Sequence, residues 1–124
     1  MNLQHIALNI VDIEEINNFF IDVLEMKTVK SFVLKHSLAQ KIFNIHKETT
    51  VYILQKNNLF FELFVSNEKL KQGFNHICIS LKNREELINK SKAAHYEHIR
   101  IKREYSDLLF IKDKSGNVFE IKEI

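Results

Sequence analysis

The chain has 124 residues, a length that suits one hydrophobic core, so we expect a single domain over residues 1–124. Hydrophobic residues make up 45% of the chain and charged residues 27%, which excludes a disordered protein, and no apolar run reaches the ~18 residues of a membrane span. A net charge of +2 is too small to indicate a nucleic-acid partner. The single Cys78 and the lack of a secretory signal pattern favour the cytoplasm.

The first predicted element is a strand that recurs later in the chain. Residues 5–10 (HIALNI) and 76–81 (HICISL) lie 71 residues apart, and both alternate with the period of two that is typical of a half-buried strand. In each segment the Ile and Leu side chains share one face, while a histidine, a small residue and a polar residue share the other. The sequence therefore contains an internal repeat, which is a strong indication of fold.

A helix is predicted after each of these strands at the same offset. Asp12 with Glu15, and Asn83 with Glu86, form N-cap patterns in which an Asx residue is followed three positions later by a glutamate. The first helix has an apolar face made of Ile13, Ile16, Phe19, Phe20, Val23 and Leu24. The second has a weaker face made of Leu87, Ile88, Ser91 and Ala94.

The two halves also end alike. Residues 56–63 (KNNLFFEL) match residues 114–121 (KSGNVFEI) at an offset of 58, so the first half is longer by 13 residues, which we place at 35–47 as a short helix or a lid. Four further strands are predicted at 27–34, 50–54, 97–102 and 108–111. The predicted fold is α+β, with two tandem β-α-β-β-β modules (about residues 1–66 and 74–124) that form a half-open barrel.

Four residues with metal-binding side chains occupy equivalent places in the repeat. His5 and His76 begin the opening strand of each module, and Glu62 and Glu120 lie in the closing strand. If each sheet curves with its helix outside, all four side chains line the concave side, and pairing the sheets about a pseudo-twofold axis would bring them to one point. Two imidazoles and two carboxylates suit one divalent Zn, Ni, Co, Mn or Fe ion with positions left for water or substrate.

These segments resemble the vicinal oxygen chelate superfamily, which includes glyoxalase I, the bleomycin resistance proteins and ring-opening dioxygenases. HIALNIVDIEEINNFFIDVLEMK resembles the opening β-α segment of that superfamily, and FFELF, FNHICI and DKSGNVFEI resemble its later ligand strands. Glyoxalase I uses His, Glu, His and Glu in this order. The resemblance therefore implies that His5, Glu62, His76 and Glu120 bind the metal.

The resemblance also implies an activity and a partner. It implies a homodimeric, metal-dependent lyase or isomerase that binds two vicinal oxygens of a small 2-oxo or thioester substrate and moves a proton through an enediolate. Either Glu62 or Glu120 is the expected catalytic base. Three departures from the family pattern are Phe20 in place of Tyr, Glu25 in place of Gly, and Asn9 where glutathione-dependent glyoxalase I has an Arg. The last departure argues against glutathione as cosubstrate.

Two alternatives remain open. A thiol transferase or dioxygenase of the same superfamily uses two His and one Glu, and the presence of Glu62 argues against it. A non-enzymatic, bleomycin-resistance-like sequestering protein is disfavoured by the intact ligand set. Cys78 aligns with Ala7 and is interpreted as a small packing residue. The remaining histidines lie outside the aligned strands and are not expected to bind the metal; they are His36, His46, His95 and His98.

Overall fold

The computed structural model describes all 124 residues and contains the two predicted modules. A π-helix spans Ile16–Ile21 in module 1, and no helix of the structure has the length and apolar character needed to span a membrane. The α-helices are α1 (His36–Phe43) and α2 (Arg84–Ala93). The strands are β1 (Ile6–Ile10), β2 (Lys27–Leu34), β3 (Thr49–Lys56), β4 (Leu59–Val65), β5 (Ile77–Leu81), β6 (Glu97–Ile101), β7 (Leu108–Lys112) and β8 (Val118–Glu123).

Each module forms its own four-stranded sheet with the same topology. The strand orders are β1-β4-β3-β2 and β5-β8-β7-β6, and in both sheets the opening strand pairs in parallel with the closing strand. The registers are equivalent as well, because Ala7 lies beside Glu62 and Cys78 lies beside Glu120. The predicted α+β fold of two β-α-β-β-β modules is confirmed, with sheets that do not close into a barrel.

The extra length of module 1 is divided between a helix and two longer strands. Helix α1 lies in the connection of residues 35–48 between β2 and β3, where module 2 has only residues 102–107 between β6 and β7. Strands β2 and β3 have 8 residues each, against 5 each in β6 and β7. The expected short helix at 35–47 is therefore present and accounts for part of the excess.

Side chains from both modules form one hydrophobic core. The fully buried aromatic rings of Phe19 and Phe20 in the π-helix meet Phe119 of β8 at centroid distances of 5.4 and 6.2 Å, and Phe61 of β4 lies 6.2 Å from Phe119. Such edge-to-face and tilted pairs add to the stabilisation from burial. The core side of each sheet is therefore the side that faces the other module.

The helix starts differ from the predicted capping patterns. The Asp12 carboxylate accepts a hydrogen bond from the Glu14 N–H (3.0 Å), but Glu15 does not turn back to cap the helix. In module 2 the Asn83 amide donates to Glu86, while the Glu123 carboxylate accepts from the Arg84 N–H at 2.8 Å. Tertiary contacts thus supply the acceptors that the sequence pattern assigned to local residues.

Glu15 instead belongs to a buried polar junction between the modules. Its carboxylate accepts hydrogen bonds from the Tyr96 hydroxyl (2.6 Å) and the Lys114 N–H (2.7 Å), both in module 2. Nearby, Asp113 accepts from the Ser115 and Asn117 N–H groups and from the Asn117 amide, at 2.7 to 2.9 Å. The paired donors compensate for the burial of two carboxylates and fix the turn before β8 against module 1.

Burial of Asp113 gives a testable pH dependence of stability. The pKa of the Asp113 carboxyl is raised to about 6, because burial and the smaller effect of the Glu15 charge outweigh the hydrogen bonds from Asn117 and Ser115, which lower it. Because the unfolded chain loses this proton near the ordinary aspartate pKa of 3.8 while the folded chain keeps it, the free energy of unfolding falls as pH rises from about 4 to about 6. Urea unfolding should show the free energy of unfolding of the wild type, relative to Asp113→Asn, falling by up to about 3 kcal/mol over this range.

Asp107 provides a control of opposite sign. Its carboxylate is bound by Arg100 at 3.1 Å, which lowers the pKa of the Asp107 carboxyl. Its stabilising contribution is therefore present above the ordinary aspartate pKa and is lost as pH falls. If the difference in free energy of unfolding between wild type and Asp113→Asn stays constant from pH 4 to pH 7, the raised pKa of Asp113 is wrong.

Candidate metal centre

In module 1 the strand register places one histidine beside one glutamate. Glu62 is level with Ala7 across the parallel β1–β4 pair, and His5 lies two residues before Ala7 on the same face. The His5 Nε2 and Glu62 Oε2 atoms are 3.1 Å apart. Glu62 is mostly shielded from solvent, whereas His5 is about half exposed, since their side-chain exposures are 18% and 47%.

Module 2 repeats this arrangement with the equivalent residues. The His76 Nε2 and Glu120 Oε2 atoms are 3.5 Å apart. The other ring nitrogen of His76, Nδ1, lies 2.8 Å from the Phe74 carbonyl oxygen, to which it donates, so Nε2 is the nitrogen that faces Glu120. A backbone carbonyl on the second nitrogen is the usual way in which a metal-binding histidine is oriented.

One chain does not bring the two His–Glu pairs together. No group of three or more His, Cys, Asp or Glu side chains converges in the structure. The reason lies in strand alternation: Glu62 lies between Phe61 and Leu63, and Glu120 lies between Phe119 and Ile121, and these four apolar neighbours are buried in the shared core. The two carboxylates therefore lie on the sheet faces that point away from the core and from each other.

The two pairs nevertheless fit a divalent ion. Two ligands that bind one ion at about 2.1 Å stand about 3.0–3.4 Å apart in octahedral or tetrahedral geometry. The nitrogen-to-oxygen separation of 3.1 Å in module 1 falls within this range, and the separation of 3.5 Å in module 2 lies just above it. Each pair offers one imidazole nitrogen and one carboxylate oxygen, which is half of a four-ligand set.

The surroundings of the two pairs differ. Glu62 has the half-buried rings of Phe60 and Phe64 on either side along β4. Glu120 has the Lys122 ammonium 3.8 Å away and Cys78 beside it across the strand pair. Partial desolvation, and then the Glu120 charge, raise the pKa of the Cys78 thiol. Cys78 is nevertheless exposed in the single chain, which argues against its interpretation as a small packing residue.

The other histidines lie apart from these pairs. His36 begins α1 and His46 follows it, with ring centroids 6.0 Å apart, while His95 ends the turn after α2 and His98 lies on β6. None of them joins a cluster of three ligands. The Phe74 carbonyl behind His76 could not be identified from the sequence, because a backbone acceptor has no residue-type signal.

Two repeated modules, each with a His–Glu pair on its open sheet face, define a fold of the vicinal oxygen chelate type. Residues 2–121 match the model of the Glyoxalase/Bleomycin resistance protein/Dioxygenase superfamily, and the chain belongs to this superfamily. A comparison with curated protein sequences gives no match.

Solved structures share the fold at low sequence identity. The fosfomycin resistance protein FosX from Listeria monocytogenes has a TM-score of 0.77 and 15% identity, with 100% of this chain and 93% of that chain covered. A glyoxalase family protein from Enterococcus faecalis has a TM-score of 0.73 and 15% identity, with 97% and 95% covered. The Listeria FosX solved with Mn(II) and sulfate ion has a TM-score of 0.71 and 16% identity, with 97% and 89% covered.

Proposed function

We propose that the protein is a metal-dependent lyase or isomerase of the glyoxalase I type, acting on a small 2-oxo or thioester substrate. The observation that carries this proposal is the pair of equivalent His–Glu sets, His5 with Glu62 and His76 with Glu120, at ligand spacing on two open sheet faces. The proposal is also supported by membership of the superfamily. FosX, which shares the fold, has been solved with Mn(II).

We propose further that two copies of the chain complete each site. A twofold axis that sets module 1 of one copy against module 2 of its partner gives two identical sites, each with two His and two Glu. This arrangement accounts for two features of the single chain: the ligand faces point away from each other, and seven of the eight residues of β2 are exposed. Each site then contains a whole ligand set although neither chain alone contains one.

The residues have separable roles in this proposal. His5, His76, Glu62 and Glu120 would hold one divalent ion, with Zn, Ni, Co, Mn and Fe as the candidates. When bound, the ion supplies Lewis-acid stabilisation of the negative charge that develops on a substrate oxygen. One of the two glutamates takes the proton next to the carbonyl, and we favour Glu62 because the Lys122 ammonium lies 3.8 Å from Glu120 and weakens it as a base.

Metal titration tests the ligand assignment. Calorimetry with Ni(II) or Zn(II) should give one ion per chain, and the melting temperature should rise with metal because the ion binds only the folded state. His5→Ala and His76→Ala should each weaken the affinity at least about 10-fold, since each removes one of four ligands. The matched controls His36→Ala and His95→Ala should leave the affinity unchanged.

Three outcomes would contradict the proposal in different ways. Equal losses in all four histidine variants would mean that the assignment by repeat position is wrong. Wild-type protein that binds no first-row metal but binds a planar antibiotic would favour the sequestering alternative. Turnover of fosfomycin, but of no 2-oxo or thioester compound, would keep the metal and replace the substrate class.

A further inference from the structure

Helix α1 packs on the ligand-bearing face of the module 1 sheet rather than on its core face. Ala39 of α1 is buried against Leu34 and Val51 in a small cluster separate from the main core, with Phe64 at its edge. Phe43, the last residue of α1, makes an edge-to-face contact with Phe64 at a centroid distance of 5.8 Å. Phe64 shares its strand face with Glu62, so α1 covers part of the same face that carries the candidate metal ligands.

The strand registers fix how close α1 comes to Glu62. Val51 is paired with Phe64 across the β3–β4 ladder, and Ile53 is paired with Glu62 at the next position on the same face. Two residues along a strand span about 7 Å. His5 lies on the other side of Glu62, level with Phe60. The contact between Phe43 and Phe64, which we call the aromatic wall, therefore borders Glu62 on the side away from His5.

The aromatic wall is incomplete as an apolar surface. Phe43 remains 49% exposed although it contacts Phe64, and Ile42 beside it is 61% exposed. Module 2 has no counterpart, because its short 102–107 connection is mostly charged or polar. Exposed apolar surface of this kind gains free energy when an apolar group covers it. Its position next to Glu62 indicates that the group is part of the bound substrate.

We infer that the aromatic wall of Phe43 and Phe64 receives an apolar substituent of the substrate, so that the site selects alkyl- or aryl-bearing substrates over methyl-sized ones. This inference rests on the proposed function, since it takes Glu62 as part of the site. Helix α1 is then the specificity element of the protein, and module 1 carries it alone. The shape of a hydrophobic pocket typically discriminates one methylene by about 10-fold or more.

Hydroxamates with different tails test the wall by binding rather than by turnover. Acetohydroxamate and benzohydroxamate present the same pair of vicinal oxygens, and their dissociation constants are measured on Ni(II)-loaded protein. Wild type should bind benzohydroxamate at least about 10-fold more tightly. In Phe43→Ala, and to a smaller extent in the milder Phe43→Leu, this preference should fall, by at least about 3-fold in Phe43→Ala, while acetohydroxamate and Ni(II) bind as in wild type. Tyr105→Ala removes a 94% exposed aromatic ring in module 2 and is the matched control.

The outcomes separate this inference from the proposed function. If the protein binds acetohydroxamate and benzohydroxamate equally, or if Phe43→Ala keeps the preference, the aromatic wall does not receive the substituent. The proposed metal site is unaffected by that result. Failure of every hydroxamate to bind metal-loaded protein overturns the proposed function and the wall with it. If Phe43→Ala weakens self-association instead of the tail preference, the exposed surface of α1 is a subunit contact and the inference is wrong.

Discussion

Mixing two inactive variants should restore metal sites if each site is shared between two chains. One variant carries His5→Ala and Glu62→Ala, and the other carries His76→Ala and Glu120→Ala, so neither homodimer holds a complete ligand set. In a mixed dimer, the intact module 1 of one chain meets the intact module 2 of the other. Random exchange makes half of the dimers mixed, each with one of its two sites intact, which restores about a quarter of the wild-type sites.

A second mixture controls for nonspecific recovery. His5→Ala and Glu62→Ala carried on separate chains damage module 1 in both partners, so every site in the mixed dimer still lacks one ligand. Calorimetry with Ni(II) after joint refolding should therefore show tight sites in the first mixture and none in the second. Equal recovery in both mixtures, or none in either, would contradict a shared site. A monomeric wild-type protein in sedimentation would contradict it as well.

The fold could be predicted because the sequence contains an internal repeat, in which each half has the same pattern of strands and helix. Residues 5–10 and 76–81 share an alternating pattern, and the closing segments around Glu62 and Glu120 share another, so each half supports the interpretation of the other. The strand bounds then follow from periodicity, as the observed β2 at Lys27–Leu34 shows. The difference between the offsets of 71 and 58 residues located the extra segment at 35–47, but it did not indicate which sheet face the helix packs on.

The relation between the two modules was not predictable from pattern alone. Periodicity assigns His5, Glu62, His76 and Glu120 to one face of each sheet, but it does not say whether the faces of one chain meet. Core packing determines which faces meet: Phe61 and Phe119 pack against each other, so the sheet faces opposite to those of Glu62 and Glu120 form the contact between the modules. The repeat predicts four ligands at one point without deciding whether one chain or two supply them, and the single chain presents them as two separate pairs.

Local pattern also failed where tertiary contacts replaced local ones. Glu15 has the spacing of a capping glutamate, yet its carboxylate lies between Tyr96 and the Lys114 N–H in the other module. Glu25 stands where the family has Gly and does adopt the left-handed φ of 58°. Ion pairs with Lys56 and Lys90 hold its carboxylate there. Neither partner is near in sequence, so no local rule identifies it.

Replacing Glu62 by Gln should separate metal binding from proton transfer. Glutamine keeps the shape of the side chain and a carbonyl oxygen that can face the ion, but it cannot accept a proton. We expect Glu62→Gln to retain much of the Ni(II) affinity while losing exchange of the proton next to the carbonyl. The loss expected for a missing general base is about 10²–10⁴-fold. The measurement is deuterium incorporation from heavy water into a panel of thiol adducts and acyl thioesters.

Glu120→Gln is the comparison that identifies the base. The two carboxylates occupy equivalent strand positions, but Glu62 is flanked by Phe60 and Phe64, whereas Glu120 has the Lys122 ammonium 3.8 Å away. The two carboxylates are about equally shielded, with side-chain exposures of 18% for Glu62 and 16% for Glu120, so the neighbouring ammonium is the difference between them. A carboxylate without an adjacent cation is the stronger base, which favours Glu62. If Glu120→Gln loses exchange and Glu62→Gln keeps it, the roles are reversed and the aromatic wall lies beside a purely structural ligand. If wild-type protein exchanges no proton on any compound while it binds metal, the isomerase proposal is wrong.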